Sequence, residues 1–237
     1  MRKVIWAALA AAVSLAGCDR IQNSDAAFEG RVRAYLVAHP EVIEEAINTL
    51  NTRRQAEADR QLVLALDSNR RALERDPRDF VANPNGRVTL TQFYDYRCPH
   101  CINVAPQVAA LIRSDPDVRV VFKELPIFGG PSDRAARLAL EVHRRSGDSL
   151  AAYQQMMSAR PLDDAAVNRV AAAFGVDVAL LNTPSAETAR HLADTQELAR
   201  LLRIDGTPTF IVGGRVVPGE DMAAIRQAIA GERARNT

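Results

Sequence analysis

Charge of either sign in excess is missing from this chain, and thiols are scarce. The 237 residues carry 30 Lys+Arg against 29 Asp+Glu, a net charge of +1. No strong field is therefore available to draw in nucleic acid or acidic lipid, and nucleic acid is excluded as a partner. Lysine occurs only at Lys3 and Lys123, so arginine carries nearly all the positive charge, a coding bias without functional weight. Cysteine occurs three times, at Cys18, Cys98 and Cys101. With 47% hydrophobic and 25% charged residues, the core can be sizeable without covalent staples. The chain has no internal repeat and no low-complexity run, which leaves one large domain or one domain plus an arm.

The N-terminus reads as a targeting segment spanning residues 1–17. Arg2 and Lys3 form a basic start, and Val4 to Val13 is an apolar stretch too short to span a bilayer. It runs into Leu15-Ala16-Gly17-Cys18, which resembles the lipobox of bacterial lipoproteins, where the cysteine is lipidated and becomes the new N-terminus. Asp19 then resembles an inner-membrane retention signal. The alternative is an ordinary secretory signal cut near Ser14-Leu15-Ala16, with Cys18 incidental. Either reading places the mature chain outside the cytoplasm, in a periplasmic compartment where disulfides persist. Removing Arg2 and Lys3 from the 30 basic residues leaves 28 against 29 acidic ones, a net charge of −1. Lipidation at Cys18 would leave Cys98 and Cys101 as the only thiols, able to pair only with each other or with a substrate.

Residues 18–27 are polar and suit a tether. A helical pattern starts at Phe28 with Val32, Tyr35 and Leu36. Pro40 suits the first turn of a second helix, expected to run to about Glu74 and to measure roughly 50 Å. Residues 28–80 thus form an N-terminal helical arm. It either packs on its own domain or serves as an oligomerisation stalk, and the imperfect heptad register leaves both open.

From residue 81 the order is strand, helix, strand, helical block, hairpin and helix. Asn83-Pro84-Asn85-Gly86 is a turn cluster, followed by a strand from Arg87 to Tyr96. A helix follows to about Ile112, with a kink expected at Pro106. Val118 to Phe122 is a second strand. Residues 131–204 are helical, with breaks near Gly147, Pro161, Gly175 and Pro184. Thr209 to Val212 and Arg215 to Val217 flank a Gly213-Gly214 turn and read as a hairpin. A final helix is expected from Glu220 to about Ala230.

Cys98-Pro99-His100-Cys101 stands where strand pattern gives way to helix pattern. Two thiols at this spacing can close a small disulfide, which points to redox chemistry. A thiolate at Cys98 would face unpaired N–H groups and the positive end of the helix dipole, an effect of up to about 2 kcal/mol. Cys98 is therefore expected to attack, and Cys101, one turn inside, to resolve the mixed disulfide. His100, inside the ring that the disulfide closes, is expected to tune the potential, against the plainer reading of a solvated helix residue. Structural zinc needs four ligands at paired spacings, and His39, His143 and His191 form no second pair, so no metal or other cofactor is expected. Copper(I), which needs fewer ligands and suits thiolates, remains a secondary reading. In Gly206-Thr207-Pro208-Thr209-Phe210, a proline entering a strand suggests a cis bond, against the plainer reading of a strand-edge proline after a glycine turn.

Together these motifs resemble the thioredoxin superfamily and, within it, the DsbA family. Phe93 to Arg97 before the cysteine pair, the Cys-Pro-His-Cys dipeptide usage, the helical block and the later Thr-Pro-Thr-Phe carry the likeness. His39-Pro40-Glu41-Val42-Ile43 and the surrounding helices resemble the ScsC-like group, whose extra N-terminal region can drive oligomerisation. The resemblance implies an α/β thioredoxin fold with a helical insertion and an N-terminal helical arm. It implies that Thr207-Pro208 is cis beside Cys98 and binds substrate backbone. It also implies clients among periplasmic protein thiols and disulfides, a membrane thiol reductase or oxidase as redox partner, and a possible homo-oligomer. The lipid anchor would hold the protein at the inner membrane. One departure stands out: related proteins often bury an acid six residues before the first cysteine, and this chain has Gln92 there. Glu124, next to Lys123, is the candidate substitute. The direction of exchange stays open. The arm favours isomerase or reductase, and the Pro-His dipeptide favours dithiol oxidase; a non-catalytic copper-binding or holdase protein is the reading from a different class.

Overall fold

A computed structural model describes residues 25–235; the targeting segment and the lipidation site expected at Cys18 lie outside them. Internal contacts divide the chain into two compact units that meet between Arg60 and Gln61. In the first unit, helix α1 spans residues 25–38, so it already includes the end of the stretch read as a tether. The His39–Pro40 turn separates it from α2, Glu41–Ser68. Within this unit Leu36, Val42, Ile43, Ala46, Ile47 and Leu50 line a shallow apolar trough. Phe28, Tyr35, Ile43, Ile47 and Leu50 are all close to half exposed or more.

The helix expected to reach Glu74 is broken at Asn69, where a short α3 takes over, Arg70–Glu74. The Asn69 side chain donates back to the Ala65 carbonyl at 2.8 Å, the local competition that makes asparagine a poor interior helix residue.

The second unit is built on a five-stranded sheet in the order β1-β3-β2-β4-β5. The strands are β1 Val81–Ala82, β2 Val88–Tyr94, β3 Val118–Glu124, β4 Thr209–Val212 and β5 Arg215–Pro218. β2 and β3 run parallel, joined by α4, Pro99–Ser114, and the other pairings are antiparallel. β1 has only two residues and no periodicity to betray it. The turn before β2 is held by Asn83, whose side chain donates to the carbonyls of Ile112 and Val118 at 2.8 and 3.2 Å. A Cβ at Gly86 would lie 2.6 Å from the Arg119 backbone nitrogen, so only glycine fits there.

The helical block comprises α5 Pro131–Arg144, α6 Ser149–Ser158, α7 Asp164–Ala173, α8 Ala179–Asn182 and α9 Ala186–Leu201. Its breaks fall at the glycines and prolines named from sequence. Asp148, Asp163 and Ser185 accept the backbone N–H groups of Ala151, Ala166 and Thr188 and so start α6, α7 and α9. The final helix, α10, is Met222–Arg235.

Each face of the sheet carries its own core. Leu90, Tyr94, Phe122, Phe210 and Val212 pack with α4, α5, α6 and α10. Phe93 and Ile211 pack on the other face, with Leu66, Leu73, Leu198 and Leu202. This period-2 division decides which side chains can meet the cysteine pair.

Candidate active site

β2 ends at Tyr94, and the chain turns through Asp95, Tyr96 and Arg97 into α4. Cys98 is the N-cap residue with extended backbone (φ −68°, ψ 120°), and Pro99 occupies the first helical position, where its missing N–H is no loss. The Cys98 amide donates to the Asp95 carbonyl, and the Cys98 carbonyl accepts from Ile102. Cys98 is buried apart from 3% of its surface, and Cys101 is fully buried. Both are free thiols here.

Burial pushes the Cys101 thiol well up, while the Asp95 backbone and the Thr207 side chain oppose the shift. Cys101 therefore keeps its proton at neutral pH. His100 is exposed, with Nδ1 3.1 Å from Oε1 of Glu220, a residue the sequence reading had not singled out.

The Thr207–Pro208 bond is cis. It brings the Thr207 carbonyl oxygen to 3.0 Å from Cys98 Sγ, which donates to it across 109 residues of sequence. Thr209 Oγ1 donates to the Gly206 carbonyl and the Gly219 amide to the Pro208 carbonyl, fixing the loop on both sides. Cys98, Cys101, Thr207 and Pro208 thus form one cluster, with Pro99 and His100 on its exposed rim.

Asp95 is a further organising residue that the sequence reading passed over. Its buried carboxylate accepts from the Arg97, Ile127 and Phe128 amides and from the Ser132 hydroxyl. It ties the approach to Cys98 to the loop after β3. The signal available in sequence was an acid at the end of an otherwise apolar strand.

Gln92, fully buried, lies on the cysteine side of the sheet. Both its amide atoms and the Tyr153 hydroxyl lack hydrogen-bond partners, although the amide is near enough to favour the tyrosinate. Glu124 faces the same side. Its Oε1 accepts from the Tyr94 hydroxyl and, at 3.1 Å, from the Tyr96 hydroxyl. Burial outweighs those bonds and holds the Glu124 carboxyl well above the usual carboxylate range.

Lys123 points the other way. It donates to the Ala72 carbonyl at 2.6 Å and to Asp79 Oδ2 at 2.5 Å, while His191 Nε2 lies 2.9 Å from Asp79 Oδ1. Potential ligand atoms of Asp76, Asp79 and His191 fall within 4.8 Å of one another. These carboxylates are already neutralised by Lys123 and by Arg78, so a divalent ion would have to displace both cations.

Comparison with known proteins agrees with this geometry. A profile of the DsbA-like thioredoxin domain matches residues 89–230. The chain belongs to the DsbA-like thioredoxin family. A second profile, the N-terminal domain of the copper resistance protein ScsC, matches residues 25–57 of this DsbA-family chain. Proteus mirabilis ScsC is 30% identical, covers 89% of this chain and 99% of its own, and superposes with a TM-score of 0.67. A thioredoxin-like oxidoreductase from Silicibacter pomeroyi is 35% identical over 71% of this chain and 99% of its own, with a TM-score of 0.64. The thiol:disulfide interchange protein DsbA of Bordetella pertussis is 29% identical over 158 residues, which is 61% of this chain and 74% of that protein. The protein is a thiol–disulfide oxidoreductase of the DsbA/ScsC type.

Proposed function

We propose that Cys98 and Cys101 exchange disulfides in secreted, periplasmic proteins, and that the protein works as a disulfide isomerase or reductase. The observation that carries this reading is the contrast between the two sulfurs. Cys98 caps a helix and meets the cis-proline loop, whereas Cys101 lies fully buried one turn behind it. Cys98 attacks a client disulfide and holds the client as a mixed disulfide. Cys101 then displaces the client sulfur and leaves the Cys98–Cys101 disulfide. Thr207 and Pro208 bind the client backbone beside the reacting sulfur, and Pro99 and His100 set the stability of the ring.

The arm supports the isomerase or reductase direction. Its ScsC-type sequence and exposed apolar residues suit association between copies, which would keep a membrane oxidase from the cysteines and leave the pair as a dithiol for a membrane reductase. The targeting segment and Cys18 support export and a lipid anchor at the inner membrane.

Thiol trapping in cells tests the direction. A pair held mostly as dithiol is expected; a pair held mostly as disulfide would make the protein a dithiol oxidase. Insulin reduction and refolding of scrambled ribonuclease should both depend on Cys98. Stoichiometric copper(I) capture without either activity would favour the binding protein, a reading that the description of the matched N-terminal domain keeps open. Deleting Phe28 to Leu50 should lower the mass in solution, and a wild-type monomer would sink the stalk. Replacing Cys18 by Ala should release the protein from the membrane fraction.

A further inference from the structure

Exchange at Cys98 leaves Cys101 with a proton to gain or lose in a site closed to water. When a client thiolate opens the Cys98–Cys101 disulfide, Cys101 departs as a thiolate where burial disfavours that charge. Such a leaving group needs an acid. Gln92, on β2 and on the cysteine side of the sheet, has no proton to give.

The groups around the water-sized space beside Glu124 are few. Tyr94 flanks it from the end of β2 and Tyr96 from the turn that follows, Tyr153 enters from α6, and His143 and Ser149 close it from α5 and the start of α6. Asp95 and Asp79 act on Glu124 by charge from further off. Glu124 is the one carboxyl in this lining, and it is 6% exposed. Its Oε1 is taken by the two tyrosine hydroxyls, while its Oε2 is buried with no partner. The Tyr153 hydroxyl is likewise buried and unpartnered, with its ring centroid 5.3 Å from that of Tyr94. Tyr153 belongs to the same buried cluster as Cys101 and lines the same small cavity as Glu124, so the phenol stands between the sulfur's surroundings and the carboxyl.

We propose that Glu124 is the proton station for Cys101, passing a proton to the departing sulfur through the Tyr153 hydroxyl. The inference rests on the thiol–disulfide reading above. In the step that opens the Cys98–Cys101 disulfide, a bond forms between the client sulfur and Cys98 Sγ. The Cys98–Cys101 bond breaks, and its electron pair stays on Cys101. The Tyr153 hydroxyl proton moves to that sulfur and is replaced by the proton from Glu124 Oε2. The negative charge that arrived on the client thiolate ends on the Glu124 carboxylate, where Tyr94 and Tyr96 already donate. Resolution is the reverse: Glu124 takes back the proton as Cys101 attacks the mixed disulfide. Glu124 and Tyr153 therefore position and carry a proton, and the sulfur chemistry stays with the cysteines.

The test uses the oxidised full chain and glutathione, with acid quenching and mass detection of the mixed disulfide at Cys98. Expressed per glutathione thiolate, the wild-type rate should fall as pH rises and Glu124 loses its proton. Glu124→Gln should lower the rate at neutral pH roughly 10²-fold and remove that fall. Adding Gln92→Glu to Glu124→Gln should restore a pH-dependent rate, because a carboxyl again faces the site. In the unaltered chain, the infrared C=O band of a protonated carboxyl should change when the cysteine pair is reduced, a readout that needs no variant. A Glu124→Gln profile that follows the wild type, or a carboxyl band indifferent to redox state, overturns the proposal. Failure of the underlying reading looks different: the wild-type disulfide would form no mixed disulfide with glutathione at all.

Discussion

Lys123 and Glu124 are neighbours in sequence and lie on opposite faces of the sheet. Lys123 joins Asp79, His191 and the Ala72 carbonyl; Glu124 joins Tyr94 and Tyr96 on the cysteine side. The pleat of β3 puts the two charges in separate compartments, so they do not pair. Glu124 works against tyrosines, and Lys123 is the counter-ion of a different carboxylate.

Lys123→Met should be strongly destabilising. It leaves Asp79 buried with only His191 and removes the donor to Ala72, a loss of about 3–5 kcal/mol by the usual cost of stranding a buried charge. Urea denaturation of wild type and variant at neutral pH measures it. A difference below about 1 kcal/mol would show that Asp79 finds another partner or takes up a proton.

Asp95→Ala should loosen the loop after β3 before it affects anything else. Four donors lose their acceptor, and each buried one costs about 1–3 kcal/mol if no water replaces it. Amide hydrogen exchange should rise at Ile127 and Phe128, and Cys98 should react less selectively with clients. Unchanged exchange at those two amides would show that the carboxylate does not hold the loop.

Acid should remove a definable share of stability through Asp76. Burial alone would push this carboxyl up, but hydrogen bonds from the Arg78 side chain and backbone hold it down at about 2. A folded-state pKa below the unfolded one gives stability that is complete above the unfolded pKa, near pH 4, and disappears as pH falls towards the folded value. The share is up to about 2 kcal/mol, so Asp76→Asn should be weaker than wild type near pH 6 and should approach it near pH 2.5. A gap independent of pH would assign the effect to packing.

Cys101→Ala should trap clients on Cys98, because nothing remains behind it to displace them. Mixed disulfides should accumulate and disappear on reduction, and Cys98→Ala should accumulate none. Equal trapping by both variants would place the attacking sulfur elsewhere.

The breaks of the helical block were legible because Gly147, Pro161, Gly175 and Pro184 act through their own backbone, as were the hairpin at Gly213-Gly214 and the helix start at Cys98. Elements with a weak or distant signal were not legible in this way. β1 is too short for any period. Asn69 broke a helix whose apolar spacing continued across it. Asp95 and Glu220 were ordinary acids until their partners came into view.

Sequence alone determined where the two cysteines stand, at a strand-to-helix junction, and the elements around them, because each follows from spacing and backbone preference over a few residues. Only the tertiary structure decided that Glu124 and Gln92 share the cysteine side, and that Lys123 serves Asp79. The physical reason is that these relations depend on strand register and on contacts between residues tens of positions apart, and no local preference along the chain encodes which face a charge will find.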